Sequence, residues 1–325
     1  MSVVKFLTNL VLLIYYILES VVLTFVPRSL RYKDIKGQTV LITGGGSGIG
    51  RLLAIRFAKR GARIVVWDLN LNGAQETAKL VKDQGGEAFA FHCDVSQPQA
   101  VYDAAAKVKQ EVGKVDILVN NAGIVTGKRF LECPDEKIKK TFEVNALAHF
   151  WTCKAFLPDM MAANMGHIVS IASLAGHTGA VRLTDYCASK FAAVGFEESL
   201  RLELHVEGYN GIKSSVVCPY FINTGMFDGV EAGLFAMLTP EYVADQIVSA
   251  VLANQEVIII PGYFSVLVAL KAIVSVKVQE HMMKWANVMN CMRAFSGRLP
   301  EEGPHPLRNL SDSLNNFNDK QTKCL

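Results

Sequence analysis

Thr43-Gly44-Gly45-Gly46-Ser47-Gly48-Ile49-Gly50 is the stretch that decides the fold. The apolar run 38–43 before it reads as a strand, and the helix-period stretch 51–60 after it reads as a helix. Glycines in a turn of this kind admit positive φ and let backbone approach an anion. The helix that the turn opens offers unpaired N–H groups to a phosphate. An acid, Asp68, stands 18 residues after Gly50, at the end of the next apolar run. Strand, glycine turn, helix and acid together specify a dinucleotide site, with Thr43, Gly44, Ser47, Gly48, Ile49 and Gly50 as its cradle. A carboxylate at that strand end accepts hydrogen bonds from both ribose hydroxyls and repels a 2′-phosphate. Leu69, Asn70, Leu71 and Asn72 bring no compensating cation, so the expected cofactor is NAD rather than NADP. Arg51 is the one nearby cation that would soften this preference.

Outward from the turn, short β-branched runs recur at 63–67, 88–92, 115–119, 167–171 and 213–218, separated by longer helix-period segments. The run 257–260 offers a seventh strand. Strands alternating with helices mean an α/β fold with a single parallel sheet wound on both faces. Residues 263–276 are apolar apart from Lys271, and 279–295 read as one amphipathic helix, so 263–297 forms a membrane- or substrate-adjacent segment. Residues 298–325 read as a polar tail in which Asn309-Leu310-Ser311 is a glycosylation sequon and Cys324 stands second from the end, outside any prenylation box.

The 325 residues are half hydrophobic, with a net charge of +3 too small and scattered for a nucleic-acid surface. Much of the apolar excess lies in residues 6–26, which carry one charge, Glu19. Fourteen of these 21 residues are Leu, Ile, Val or Phe. Together they favour insertion by about 4 to 8 kcal/mol against roughly 3 for the acid. No small-x-small cleavage site follows. Arg28, Arg31, Lys33 and Lys36 follow the segment and Lys5 precedes it, which leaves the body of the chain on the cytosolic side. Residues 1–36 therefore read as a membrane anchor with its basic flank, either spanning or lying in the interface. Seven unpaired cysteines, without zinc spacing, suit a reducing compartment and no metal site.

Tyr186 and Lys190 stand at i and i+4, on one face of a helix. A fixed cation beside a phenol favours the phenolate and would bring the tyrosine pKa towards neutrality, making it a usable acid/base. Ser173 stands in the turn after the run 167–171, and Asn120-Asn121-Ala122-Gly123 ends the run 115–119. With these motifs in this order, residues 37–262 resemble the short-chain dehydrogenase/reductase family. Within it, the wording around residues 143–158 and 185–196, with the anchor, is similar to the membrane-bound branch of epidermal retinol and lipid-droplet hydroxysteroid dehydrogenases. The resemblance implies a Rossmann-type fold. It makes Ser173 the partner of the reacting oxygen, Tyr186 the acid/base and Lys190 the holder of the nicotinamide ribose. It also implies that Asn145 supports a water-mediated proton relay, that Asp94 contacts adenine, that Asn121 and Ala122 line the adenosine side, and that Pro219 and Thr224 cover the nicotinamide.

The loop 220–239 should close over the reacting centre. Phe221, Ile222, Met226, Phe227, Val230, Leu234, Phe235, Met237 and Leu238 make it suited to a lipophilic alcohol. The leading expectation is oxidation of all-trans-retinol to retinal. A 17-beta-hydroxysteroid dehydrogenase is the enzymatic alternative, and a membrane scaffold with incidental NAD binding is the alternative of another class. The expected partners are a retinoid or steroid and membrane lipid, with homo-oligomerisation left open. The expected location is the endoplasmic reticulum membrane, facing the cytosol, or lipid droplets.

Overall fold

The structure is a computed structural model and describes residues 3–297. The first helix, α1 (Val3–Phe25), is followed by β1 (Thr39–Thr43), α2 (Gly48–Ala58), β2 (Arg63–Asp68), α3 (Leu71–Asp83), β3 (Ala88–His92), α4 (Pro98–Glu111) and β4 (Ile117–Asn120). Next come α5 (Asp135–Phe142), α6 (Ala148–Ala163), β5 (Gly166–Ile171), α7 (Thr184–Val206), β6 (Ile212–Pro219), α8 (Pro240–Leu252), β7 (Val257–Ile260), α9 (Phe264–Lys271) and α10 (Val276–Trp285). The strands form one all-parallel sheet in the order β3-β2-β1-β4-β5-β6-β7.

Side-chain alternation explains why the strand cores are apolar throughout. Val40, Ile42, Ile64 and Val66 point into a core shared with α2, α3 and α8, whereas Leu41, Val65 and Trp67 point into one shared with α4, α6 and α7. A parallel sheet covered on both faces has no polar side. The strand order reverses between β1 and β4, and the crevice at the carboxyl ends of the strands there is where such sheets bind ligands.

The first helix after the glycine turn opens at Gly48, earlier than the apolar period indicates, because its first turn carries the small residues Gly48 and Gly50, which leave the anion cradle open, in place of apolar ones. Among the described residues, α1 is the one helix long and apolar enough to cross a membrane, with a mean hydropathy of 2.0 and none of its 23 residues buried. The basic flank is built into the domain. Arg28 donates to Gln246 (3.0 Å), the Tyr32 hydroxyl donates to Ser249 (2.7 Å), Lys33 N–H donates to the Leu252 carbonyl (2.9 Å), and Ile35 is 1% exposed in the core.

The amphipathic helix expected over 279–295 is broken. Asn287 adopts a left-handed conformation (φ 56°) and ends α10, as Asn does at helix C-termini. The chain then folds back on the loop 220–239: Leu234 N–H donates to the Ala286 carbonyl and Glu231 N–H to the Cys291 carbonyl (both 2.9 Å), burying Cys291 and Met292. The polar tail, its sequon at Asn309 and Cys324 lie outside the described residues.

Candidate active site

The glycine turn and the end of β4 are locked together. The buried Thr43 hydroxyl accepts hydrogen bonds from Asn121 N–H (3.0 Å) and Ala122 N–H (3.1 Å). The Asn121 amide donates to the Thr43 (2.9 Å) and Gly44 (3.1 Å) carbonyls. Gly44 has φ +64°, and a Cβ there would lie 2.9 Å from Ala122 Cα; a Cβ on Gly50 would collide with the Gly44 carbonyl oxygen. Asp68 accepts from Gly46 N–H (2.8 Å) through one carboxylate oxygen and from Asn70 N–H (2.9 Å) through the other. Arg51 is committed elsewhere, donating to the Gly46 carbonyl (2.6 Å), Glu76 (2.7 Å) and Thr77 (3.1 Å). Asp94 takes hydrogen bonds from Ser96 N–H (3.0 Å), the Ser96 hydroxyl (2.7 Å) and Lys140 (3.3 Å). Burial raises the Asp94 carboxyl, but Ser96 and Lys140 outweigh it and hold the group below its ordinary value.

Tyr186 and Lys190 lie on the first turns of α7, both buried, with Lys190 Nζ 5.7 Å from the Tyr186 ring centre. Lys190 Nζ donates to the Ile171 carbonyl at the end of β5 (2.8 Å). The Ser173 hydroxyl accepts from Ala175 N–H (3.1 Å) and donates to the Pro219 carbonyl (3.4 Å), which ties the ends of β5 and β6. The expected lowering of the tyrosine pKa is overturned. Burial pushes the phenol above its ordinary value, with Ser173 offsetting only part of this, and burial also brings Lys190 down to about 8. Desolvation disfavours the charged form of each.

One cavity of about 750 Å³ runs from Asp68 and Asp94 past Tyr186 to α9 and α10. Its substrate end is aromatic: Phe227 meets the Tyr186 ring edge-on at 5.9 Å, and Phe221, Tyr220, Phe235 and Phe264 continue the wall. Leu267, Val268, Val274, Met282 and Met283 close the far side.

The sequence pattern of the short chain dehydrogenase family matches residues 38–234. The chain belongs to the short-chain dehydrogenase family. This dehydrogenase is 47% identical over 289 residues to short-chain dehydrogenase/reductase family 16C member 6 of Bos taurus, covering 88% of this chain and 91% of the relative. It is 45% identical over 286 residues to human epidermal retinol dehydrogenase 2 (87% and 92% covered) and 47% identical over 274 residues to mouse estradiol 17-beta-dehydrogenase 11 (83% and 91% covered). Among solved structures, a short chain dehydrogenase/reductase from Burkholderia phymatum in complex with NAD superposes with a TM-score of 0.68 at 24% identity, covering 84% of this chain and all of that one. A metagenomic short-chain oxidoreductase in complex with NADP superposes with a TM-score of 0.59 at 29% identity, covering 70% and 96%.

Of the residues singled out in the sequence, Gly44, Ser47, Gly48, Ile49, Gly50, Asp68, Asp94, Asn121, Ala122, Ser173, Tyr186, Lys190, Pro219 and Thr224 all line the dehydrogenase's cavity. Thr43 and Asn145 do not. Thr43 stands behind the turn as its brace. Asn145 is fully buried in a π-helical turn, residues Glu143–Leu147, where its oxygen accepts from Ile124 N–H (2.8 Å) and its nitrogen donates to the Ile124 carbonyl (2.9 Å) and Ser189 (3.1 Å). Such turns collect at functional sites. Sequence reasoning missed Lys140, which faces the cavity and fixes Asp94, and His177, Phe264 and Cys291 on the substrate side. Only Lys140 carried a signal, as a cation on the inward face of the helix 135–142.

Proposed function

We propose that the enzyme oxidises all-trans-retinol to all-trans-retinal, with NAD as acceptor. The far end of the cavity carries this reading. Leu267, Val268, Val274, Met282 and Met283 make that end mostly hydrocarbon, and of its polar groups Gln279 Nε2 is turned to the Lys271 (3.0 Å) and Val274 (3.1 Å) carbonyls while Lys271 Nζ donates to the His177 carbonyl (2.7 Å). An alcohol whose other end is hydrocarbon fits such a wall. Human epidermal retinol dehydrogenase 2 is among the relatives, and so is an estradiol 17-beta-dehydrogenase, which keeps the steroid as the second reading.

The donors and glycines around the turn fit a dinucleotide, and Asp68, with Arg51 engaged elsewhere, favours a free ribose 2′-hydroxyl over a phosphate. When bound, the oxidised nicotinamide supplies a hydride acceptor and a positive charge. Ser173 holds the substrate oxygen and Lys190 orients the ribose; for Tyr186 to take the hydroxyl proton, the Lys190 cation and the charge of the bound cofactor must offset the burial that raises its pKa. Anchorage by α1 in the endoplasmic reticulum membrane, with the basic flank and catalytic domain on the cytosolic side, would present this cavity to a lipid-soluble alcohol; lipid droplets are the alternative surface.

The test is turnover by microsomes containing the full chain, given NAD and either retinol or a 17-hydroxysteroid, beside Tyr186→Phe. Retinol oxidation that falls at least about 100-fold in the variant supports the reading. Preferential steroid turnover selects the second reading. No turnover of either substrate, or an equally active variant, refutes the enzymatic reading as stated.

A further inference from the structure

Leu183 and Cys291 line the main cavity, and their chain neighbours Arg182 and Met292 line a second, separate one of about 170 Å³. Three arginines line it, Arg129, Arg182 and Arg293, and no acidic residue does. Arg182 holds φ +63°, a left-handed conformation unfavourable for arginine. Its Nη1 donates to the Met292 and Arg293 carbonyls (both 3.3 Å), which fixes the guanidinium in place. The one carboxylate paired with Arg129 is Glu132, at 3.9 Å on the surface, and Arg293 has no ion pair among the described residues. Gathering three like charges around one cavity with a single, distant counter-charge at its rim is unfavourable, and an anion in the cavity would reverse that. Guanidinium forks match phosphate oxygens in particular. Val181, which lines the cavity, is 50% exposed, and Phe130 and Leu131, which follow Arg129 in the chain, are 65% and 94% exposed. A soluble anion has no use for them, whereas a lipid does.

We propose that the Arg129–Arg182–Arg293 cavity binds the phosphate of an anionic phospholipid, with Phe130, Leu131 and Val181 in contact with its acyl region. Bound there, the lipid would seat the folded-back segment 286–297, which covers the substrate cavity, against the membrane surface. The inference rests on reading α1 as a membrane anchor, but the binding itself is measurable in micelles, where a failed anchor would not abolish it.

The experiment titrates the full-length protein in neutral detergent with dioctanoyl phosphatidic acid, with dioctanoyl phosphatidylcholine and with inorganic phosphate. Phosphatidic acid is expected to bind at least about tenfold tighter than either of the others. Arg129→Gln/Arg293→Gln should lose about tenfold of that affinity while retaining NAD binding and turnover, since neither side chain touches the catalytic cavity. Leu131→Ser, at a position too exposed to affect folding, should weaken phosphatidic acid several-fold and leave inorganic phosphate unchanged. Equal affinity of the double variant and the wild type would overturn the site. Inorganic phosphate binding as tightly as phosphatidic acid, or no effect of Leu131→Ser, would overturn its assignment to lipid.

Discussion

Thr43→Val separates bracing of the glycine turn from contact with the cofactor. Valine keeps the shape and β-propensity of threonine but removes the oxygen that accepts from Asn121 and Ala122 N–H (3.0 and 3.1 Å). A buried donor left unpaired costs about 1 to 3 kcal/mol. Both donors here are only part-buried, so water recovers some of this and the two together cost about 2 to 3 kcal/mol. For a domain of this size, each kcal/mol lowers Tm by roughly 2 to 4 °C, so the variant should melt about 4 to 12 °C lower. Thr43 is 2% exposed and off the cavity wall, so kcat at saturating NAD should stay within about twofold while the loosened turn binds NAD more weakly. The assay is thermal unfolding in detergent beside NAD titration and retinol kinetics. A variant that melts like the wild type but binds NAD tenfold or more weakly would refute the reasoning and make Thr43 a direct contact.

Asp68→Asn removes the charge and leaves one acceptor oxygen for the two N–H groups of Gly46 and Asn70; the ratio of kcat/KM for NADP over NAD should rise at least about tenfold, or about 1.4 kcal/mol, in side-by-side kinetics. Lys33→Met tests the packed flank. Burial, then Lys213, lowers Lys33 to about 8 from an ordinary 10.5, so the unfolded chain holds more protons between those values and stability should rise with pH across that window; in the variant, the Tm-versus-pH slope over pH 8–10 should be smaller. If the domain faces the cytosol, Asn309 should stay unglycosylated in cells, and a glycosidase-sensitive mobility shift would reverse the topology.

The sheet was legible because its inner strands are buried on both faces and therefore apolar along most of their length, and because glycines and acids mark strand ends. Runs such as 88–92 and 257–260 coincide with β3 and β7. The cavity wall was legible where chemistry is concentrated in short motifs, at residues 43–50, 120–123 and 186–190. Two things were not. Thr43 belongs to the first of those motifs and Asn145 to the family-like stretch 143–158, but whether such a side chain faces a ligand or the backbone behind it depends on hydrogen bonds to Asn121 and Ile124, which no local pattern encodes. The helix break at Asn287 was also hidden, because the apolar period continues through it. What ends α10 is a left-handed residue whose fold-back is secured by backbone bonds to Glu231 and Leu234, more than 50 residues away. The electrostatics of Tyr186 were misjudged for a related reason. The i,i+4 spacing reports proximity of a cation but not the depth at which both groups are buried, and depth decides the sign.

The packed flank bears on how the anchor and the cavity stand to one another. Lys33 Nζ reaches His167 Nδ1 (2.7 Å) at the start of β5, and the Lys33 N–H meets Leu252 at the end of α8, so the flank meets the sheet at the amino end of its strands, opposite the carboxyl end where the cavity lies. From there the chain, followed back towards α1, climbs α8: Lys33 meets residue 252, Tyr32 meets 249 and Arg28 meets 246. Six helical residues are about 9 Å of rise, directed towards the amino end of α8. That end follows the loop 220–239, whose aromatic side chains form the substrate wall. The flank therefore carries the end of α1 away from the amino ends of the strands and towards the side where the cavity lies. An unpacked linker would let the domain adopt any orientation over a bilayer. If α1 is held in a bilayer, a flank hydrogen-bonded at three successive levels of α8 would restrict the domain to orientations that bring the cavity's apolar end, with Val266, Ile273 and Trp285 exposed, nearer the lipid. Loosening this packing should raise the KM for a membrane-dissolved alcohol and leave the KM for NAD unchanged, because NAD arrives from water.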